Sequence, residues 1–195
     1  MSNPVFTTSY MNDAADNFLT SFARLIDPNL AIELGAQQGH SAVNISMGMR
    51  VDATFVTYDL FDPQYAQPPH GPTHASMEGV QNNLRRAQPV CDWEVRRGSI
   101  EEIIVDYPDG FDLFHLDICN HYENAKPVLE QIAPLVSTAM IIEGGIYNQW
   151  QKQCGFKPWH PILDEAWFRK HWKSITIALN DHNAITLATR KRQGD

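Results

Sequence analysis

The stretch Leu30-Ala31-Ile32-Glu33-Leu34-Gly35-Ala36-Gln37-Gln38-Gly39-His40-Ser41 decides the fold. Its first five residues are almost wholly apolar and end at a glycine, the pattern of a strand buried on both faces. Ser41 to Met49 then reads as a helix. Two glycines four apart, between strand and helix, allow a tight turn and let a ligand approach the amides at the helix start. The dinucleotide fingerprint G-x-G-x-x-G is absent, and so is the Gly-Lys-Ser/Thr of a phosphate-binding P-loop. Glu33 would repel a pyrophosphate but could receive an ammonium group. A ligand built from an amino acid and a nucleoside suits that polarity.

Outward from this loop, strand and helix patterns alternate. Asp13 to Ile26 reads as a helix with Phe18, Leu19, Phe22, Leu25 and Ile26 on one face, stopped by Asp27-Pro28. Thr54 to Tyr58 is a second strand ending at Asp59. A proline-rich loop, Asp62 to Thr73, carries His70 and His74 toward the helix Ala75–Ala87. Trp93–Arg96 is a weak strand before Gly98-Ser99, and Ile100–Val105 a short helix. Phe111–Leu116 is a strong strand ending at Asp117. Tyr122–Val136 reads as a helix, Ala139–Ile142 as a strand ending at Glu143, and Ile162–Lys170 as a helix. Ser174–Leu179 and Ala184–Arg190 are strands joined by a turn-forming Asn180-Asp181-His182-Asn183. Such alternation gives a doubly wound, mostly parallel sheet with an antiparallel C-terminal hairpin. Ligands of such sheets bind beyond the carboxyl ends of the strands, so Gly35, Asp59, Ser99, Asp117 and Glu143 are the positions to weigh.

Length and composition bound the alternatives. The 195 residues suit one domain, 1–195, with residues 1–10 reading as loose and 191–195 as a tail. A net charge of -8 argues against nucleic-acid phosphates and anionic membranes as partners. Cys91, Cys119 and Cys154 form no C-x-x-C pair, which fits reduced thiols in a cytoplasm. The start shows no signal-peptide pattern, and no apolar run approaches a membrane span. The same charge favours a small-molecule substrate as the partner.

Glu33-x-Gly35-x-x-x-Gly39-x-Ser41 resembles motif I of the class I S-adenosylmethionine (SAM) dependent methyltransferases. The resemblance implies a Rossmann-like, seven-stranded sheet in which Glu33, Gly35, Gly39 and Ser41 hold the methionine part of the cofactor. Asp59 matches the acid that accepts both ribose hydroxyls; read alone it is a strand-end cap. Ser99-Ile100 falls where the adenine is contacted. Ser99 also reads as a helix N-cap closed by Glu102, and the two readings are compatible.

Phe111-Asp112-Leu113-Phe114-His115-Leu116-Asp117-Ile118-Cys119-Asn120-His121-Tyr122-Glu123 resembles a stretch of small-molecule O-methyltransferases, the catechol and macrolide-sugar type. Asp117, Tyr122 and Glu123 match; Ile118, Cys119 and Asn120 depart. The resemblance spans about residues 30 to 145 in order. It implies methyl transfer to a hydroxyl, with Asp117 at both cofactor and catalytic positions. His121, at the open end of the strand, is the candidate base. His115 lies on the same side as Asp117 and reads more simply as a satisfied core histidine. The metal-dependent branch would place magnesium on Asp117 and Glu143. Gly144 offers no third ligand and Cys119 suits a hard ion poorly, so a metal is the less favoured reading.

Tyr147–Trp150 and Phe156–Pro161 are aromatic and irregular. They read equally as walls of an acceptor pocket and as structural packing, including a homodimer contact. The departures at Ile118, Cys119 and Gly144 leave a second function open, a catalytically silent binding or assembly module. A nicotinamide dehydrogenase is weaker, because its fingerprint is missing.

Overall fold

The computed structural model describes residues 13–62, 76–118, 122–143, 160–178 and 184–192. The chain begins with helix α1 (Asp13–Ile26), strand β1 (Leu30–Leu34), α2 (His40–Gly48) and β2 (Thr54–Asp59). Then come α3 (Met77–Ala87), β3 (Asp92–Arg97), α4 (Ile100–Asp106), β4 (Phe111–Leu116), α5 (Tyr122–Ile132) and β5 (Val136–Glu143). A 3-10 turn (His160–Asp164), α6 (Ala166–His171), β6 (Trp172–Ala178) and β7 (Ala184–Arg190) complete it.

The strands form one seven-stranded sheet in the order β3-β2-β1-β4-β5-β7-β6. β1 to β5 are parallel; β7 runs antiparallel to both β5 and β6. The expected doubly wound sheet with an antiparallel end is therefore present. The last strand inserts between β5 and β6 rather than lying outermost. Its residues explain this: Ala184, Ile185 and Ala188 are buried, whereas Lys173, Ser174, Ile175 and Thr176 of β6 are exposed at the edge.

Strand alternation feeds a separate core on each face. One face packs Ala31, Phe55, Leu113 and Ile141 against Leu19 and Ala23 of α1 and Ala42 and Ile45 of α2. The other packs Ile32, Val56, Phe114 and Met140 against Ile103 of α4, Leu129 of α5 and Phe168 of α6. The buried arc of α1 centres on Leu19 and Ala23, so Leu25 falls outside the expected face and is 78% exposed. α1 and α2 meet closely at Gly48, where a Cβ would lie 2.3 Å from the Thr20 carbonyl oxygen.

Several boundaries differ from expectation; β6, for one, begins at Trp172 and not Ser174. α5 stops at Ile132, and β5 begins at Val136 instead of Ala139. Pro134 cannot continue a helix and biases its predecessor toward extended backbone. The expected helix over 162–170 is divided at Glu165, which is extended and caps α6. The Glu165 carboxylate accepts from Tyr122 Oη (2.7 Å), Trp167 Nε1 (2.8 Å) and Lys126 Nζ, tying this corner to α5.

Candidate functional site

The strand order reverses between β1 and β4, and their carboxyl ends form the switch point. Gly35 follows β1 with φ 103°. Its amide donates to Tyr58 O (2.8 Å), while the Asp117 amide donates to Leu34 O (2.9 Å). A Cβ on Gly35 would stand 1.9 Å from the Asp117 carbonyl oxygen. The first glycine is thus required by strand contact. Gly39 (φ 80°) is required by packing, because its Cβ would meet Val80 Cγ1 of α3 at 2.8 Å.

Asp59, at the end of β2, latches the loop between these glycines. Its Oδ2 accepts from the Gln37 amide and its Oδ1 from the Phe61 amide, each at 2.8 Å. Both carboxylate oxygens already have one backbone donor, and their second lone-pair sites remain for ligand hydroxyls. Asn83 Nδ2 adds a second hold by donating to Gln38 O (2.9 Å). Asp16 of α1 pairs with His40 Nε2 at the start of α2, so the N-terminal helix also reaches this loop. No sequence motif signals that last pair.

Beneath this rim lies a polar row inside the sheet. Thr57, Glu33 and His115 are register partners across β2, β1 and β4, and their side chains share one face. Glu33 is fully buried. Its Oε2 accepts from Thr57 Oγ1 (2.5 Å) and its Oε1 from Ser41 Oγ (2.6 Å), with His115 Nδ1 2.9 Å from Oε1. The acid and hydroxyl of the motif, Glu33 and Ser41, therefore bond to each other. The ammonium contact expected of Glu33 is not prepared on an exposed carboxylate.

His115 is 1% exposed, and its Nε2 lies 3.7 Å from Glu143 Oε1. Burial opposes a charge on this ring, but Glu143 and Glu33 on either side outweigh it and push its pKa up to about 10. Asp117 is raised well above the usual carboxylate range, first by burial and then by the negative charge of Glu143.

Ser99 and Ile100 begin α4. The Glu102 carboxylate accepts from the Ser99 amide (2.7 Å) and from Ser99 Oγ (2.6 Å), and Ile100 is buried. The capping reading of Ser99 is thus realised. His121, Cys119, Gly144, His70, His74 and the aromatic stretch from Tyr147 to Trp159 lie outside the described residues.

Asp59, Asp117 and Glu143 stand at strand ends, with the buried His115 ring between Glu33 and Glu143. That charge balance fits a ligand with an ammonium or sulfonium group. It does not fit magnesium equally well. Among the described residues no three His, Cys, Asp or Glu are grouped to hold a metal, and His115 Nε2 lies 3.7 Å from Glu143 Oε1.

Comparisons agree with this architecture. Residues 32–143, more than half of the chain, match a family profile described as a methyltransferase domain. The chain belongs to that family. Structures with the same fold include an O-methyltransferase from Bacillus cereus in complex with S-adenosylhomocysteine (SAH). It is 14% identical with a TM-score of 0.67, over 95% of this chain and 84% of that one. TomG from Streptomyces achromogenes, an O-methyltransferase involved in tomaymycin synthesis and solved with SAM, is 15% identical with a TM-score of 0.66. That match covers 96% of this chain and 84% of TomG. A methyltransferase from Geobacter sulfurreducens is 14% identical with a TM-score of 0.67, over 93% and 80% of the two chains. No curated protein matches at the sequence level. Among the described residues no helix is long and apolar enough to cross a membrane.

Proposed function

We propose that this chain is a SAM-dependent methyltransferase that transfers a methyl group to a hydroxyl of a small molecule. The observation carrying this reading is the glycine loop latched by Asp59 at the switch point, with Gly35 packed against the Asp117 backbone at the end of β4. Bound SAM supplies an electrophilic methyl group on a sulfonium. The chain's own residues then have separable tasks. The loop from Gly35 to Gly39 and Asp59 receive the cofactor, with Ser99 and Ile100 bordering its base. Asp117 takes the proton that the acceptor hydroxyl loses, with His121 as the second candidate base.

The acceptor is a small molecule and not a nucleic acid, in keeping with the charge of -8. A cytoplasmic location and a homodimer belong to the same proposal. Calorimetry with SAH tests the cofactor half. Micromolar binding to wild type and at least tenfold weaker binding to Asp59→Ala are expected. An intact fold with no SAH binding would instead support a silent binding module. Radiolabelled methyl transfer across a panel of phenols and sugar hydroxyls tests the second half, with Asp117→Asn as the control that should lose turnover.

A further inference from the structure

We propose that the outer edge of the sheet, strand β6, is a docking site for an extended acidic segment of a protein partner, which adds to the sheet as a further strand. This does not rest on the methyl-transfer reading.

The two edges of the sheet are built differently. β3, at one edge, carries Asp92, Glu94, Arg96 and Arg97, the dense charge that keeps an edge from pairing with another chain. β6, at the other, reads Trp172-Lys173-Ser174-Ile175-Thr176-Ile177-Ala178, with a single charge and no proline. It pairs with β7 along its whole length, and Ile175 is 60% exposed.

One bond fixes which backbone groups of β6 point outward. His171 O accepts from the Lys191 amide at 2.9 Å. Bonded and non-bonded pairs alternate along an antiparallel ladder. Lys173, Ile175 and Ile177 therefore bond to β7, and the amides and carbonyls of Ser174 and Thr176 point away from it. The hydroxyls of Thr176 and Thr186, 2.8 Å apart, agree, because side chains come closest in a non-bonded pair. Among the described residues no strand pairs with that side of β6. A peptide laid along it would complete the ladder.

Charge selects the peptide. Beside the edge lies a groove of about 600 Å³, lined by Arg169, Lys173 and Lys191, with Asp164 as its acid and Ser174 and Thr176 as its hydroxyls. Three cations to one acid reverse the balance of a chain whose net charge is -8. Lys191 Nζ donates to Arg169 O at 2.6 Å, and Arg169 pairs with Asp164. That pair is well exposed, so it contributes little and leaves the groove an excess of positive charge. Ser174 and Thr176 share a face with the buried Trp172, and Ile175 takes the other. The segment that fits has acidic residues at alternate positions and apolar ones between. A second copy fits this edge less well, because the same seven residues include no acid to meet the cations. A small anion would use the cations but not the ladder. Lys173 pairs with Thr189, and Thr189 with Ala139, so the cations sit toward the amino end of β5 and away from Glu143.

The test uses the full, 15N-labelled chain and a peptide of alternating glutamate and valine as long as β6, seven residues. A lysine–valine peptide is the charge control. The glutamate peptide is expected to shift the amide signals of Ser174 and Thr176, and to bind about tenfold more tightly than the lysine peptide. Ser174→Pro removes an outward donor but no bond to β7, a place where an edge strand accepts proline. It should weaken binding about tenfold, and so should Lys173→Glu, with SAH affinity unchanged in both. Lys173→Glu leaves the backbone alone, so it decides the question if Ser174→Pro fails to fold. Equal binding of the two peptides overturns the proposal. So does an absence of shifts at Ser174 and Thr176, or an affinity untouched by Lys173→Glu. Self-association in sedimentation that Ser174→Pro abolishes would instead assign the edge to a second copy. Citrate reproducing the Ser174 and Thr176 shifts would assign the groove to a small anion. Either result also overturns the proposal.

Discussion

Replacing Gly35 with alanine is the sharpest challenge to this account of the glycine loop. Two costs are written in the structure. The residue sits at φ 103°, a region that L side chains enter only under strain; that alone costs about 1–3 kcal/mol. The new methyl would also stand 1.9 Å from the Asp117 carbonyl oxygen, roughly 1.5 Å short of ordinary contact. The carbonyl of Asp117, just past the end of β4 and held by its own amide to Leu34 O, cannot turn away as a flexible side chain can. Relief means parting the ends of β1 and β4, which weakens the bonds from Asp117 N to Leu34 O and from Gly35 N to Tyr58 O. Each contributes about 1 kcal/mol. The expected loss is about 3–5 kcal/mol in all. Gly39→Ala meets Val80 Cγ1 at 2.8 Å with φ 80°, a strained backbone against a side chain, and should lose about 1–3 kcal/mol. Urea denaturation of both variants, with SAH calorimetry alongside, measures the order. Equal losses, or a Gly35→Ala protein within about 0.5 kcal/mol of wild type, would refute the claim that strand contact demands this glycine.

Stability should also depend on pH through the buried row. The folded state holds the His115 proton to about pH 10, above its unfolded value of 6.5. The stabilisation is therefore complete below pH 6.5 and fades as the pH climbs toward 10. The raised Asp117 acts in the same direction, because the native state again binds the proton more tightly. Thermal melts from pH 6 to 10 should show a steady fall that is flatter in His115→Gln; parallel curves would contradict this. Asp59→Asn keeps the size of the latch but loses its charge. It should weaken SAH binding about tenfold while leaving the melting temperature within a few degrees, read by calorimetry and circular dichroism. Glu165→Ala removes the acceptor shared by Tyr122, Lys126 and Trp167. After allowance for solvent screening it should cost about 1–2 kcal/mol in urea denaturation, without altering SAH affinity.

Much of this was legible in the sequence because the governing physics is local. The limits of α1, β1, β4 and β7 follow from periodicity, glycine and proline, and the alternation of elements leads directly to the sheet. What escaped depends on register. Nothing in the run Phe111–Leu116 says that His115 lies opposite Glu33, because that pairing is set by two strands 82 residues apart. The insertion of β7 between β5 and β6 is likewise a matter of burial across the sheet and not of the hairpin's own residues. The available clue was a conflict of pattern. A glutamate and a histidine in strands otherwise rich in Leu, Ile and Phe cannot be buried singly.

That conflict changes how the motif itself is understood. Glu33 and Ser41 look in sequence like ligand contacts, yet their side chains meet each other and His115 inside the protein. The loop's ligand-facing share falls to its backbone and to Asp59, whose carboxylate is already oriented by two amides. A loop set in this way before any ligand arrives spends less of its binding energy on ordering. The buried row performs the same service for Glu143 and Asp117. Strand ends that carry negative charge would repel one another, and the His115 ring one layer below, between Glu33 and Glu143, is placed to offset that repulsion. The chain's acidity at its strand ends and the histidine beneath them are therefore parts of one arrangement, and altering the histidine should disturb the acids before it disturbs the loop.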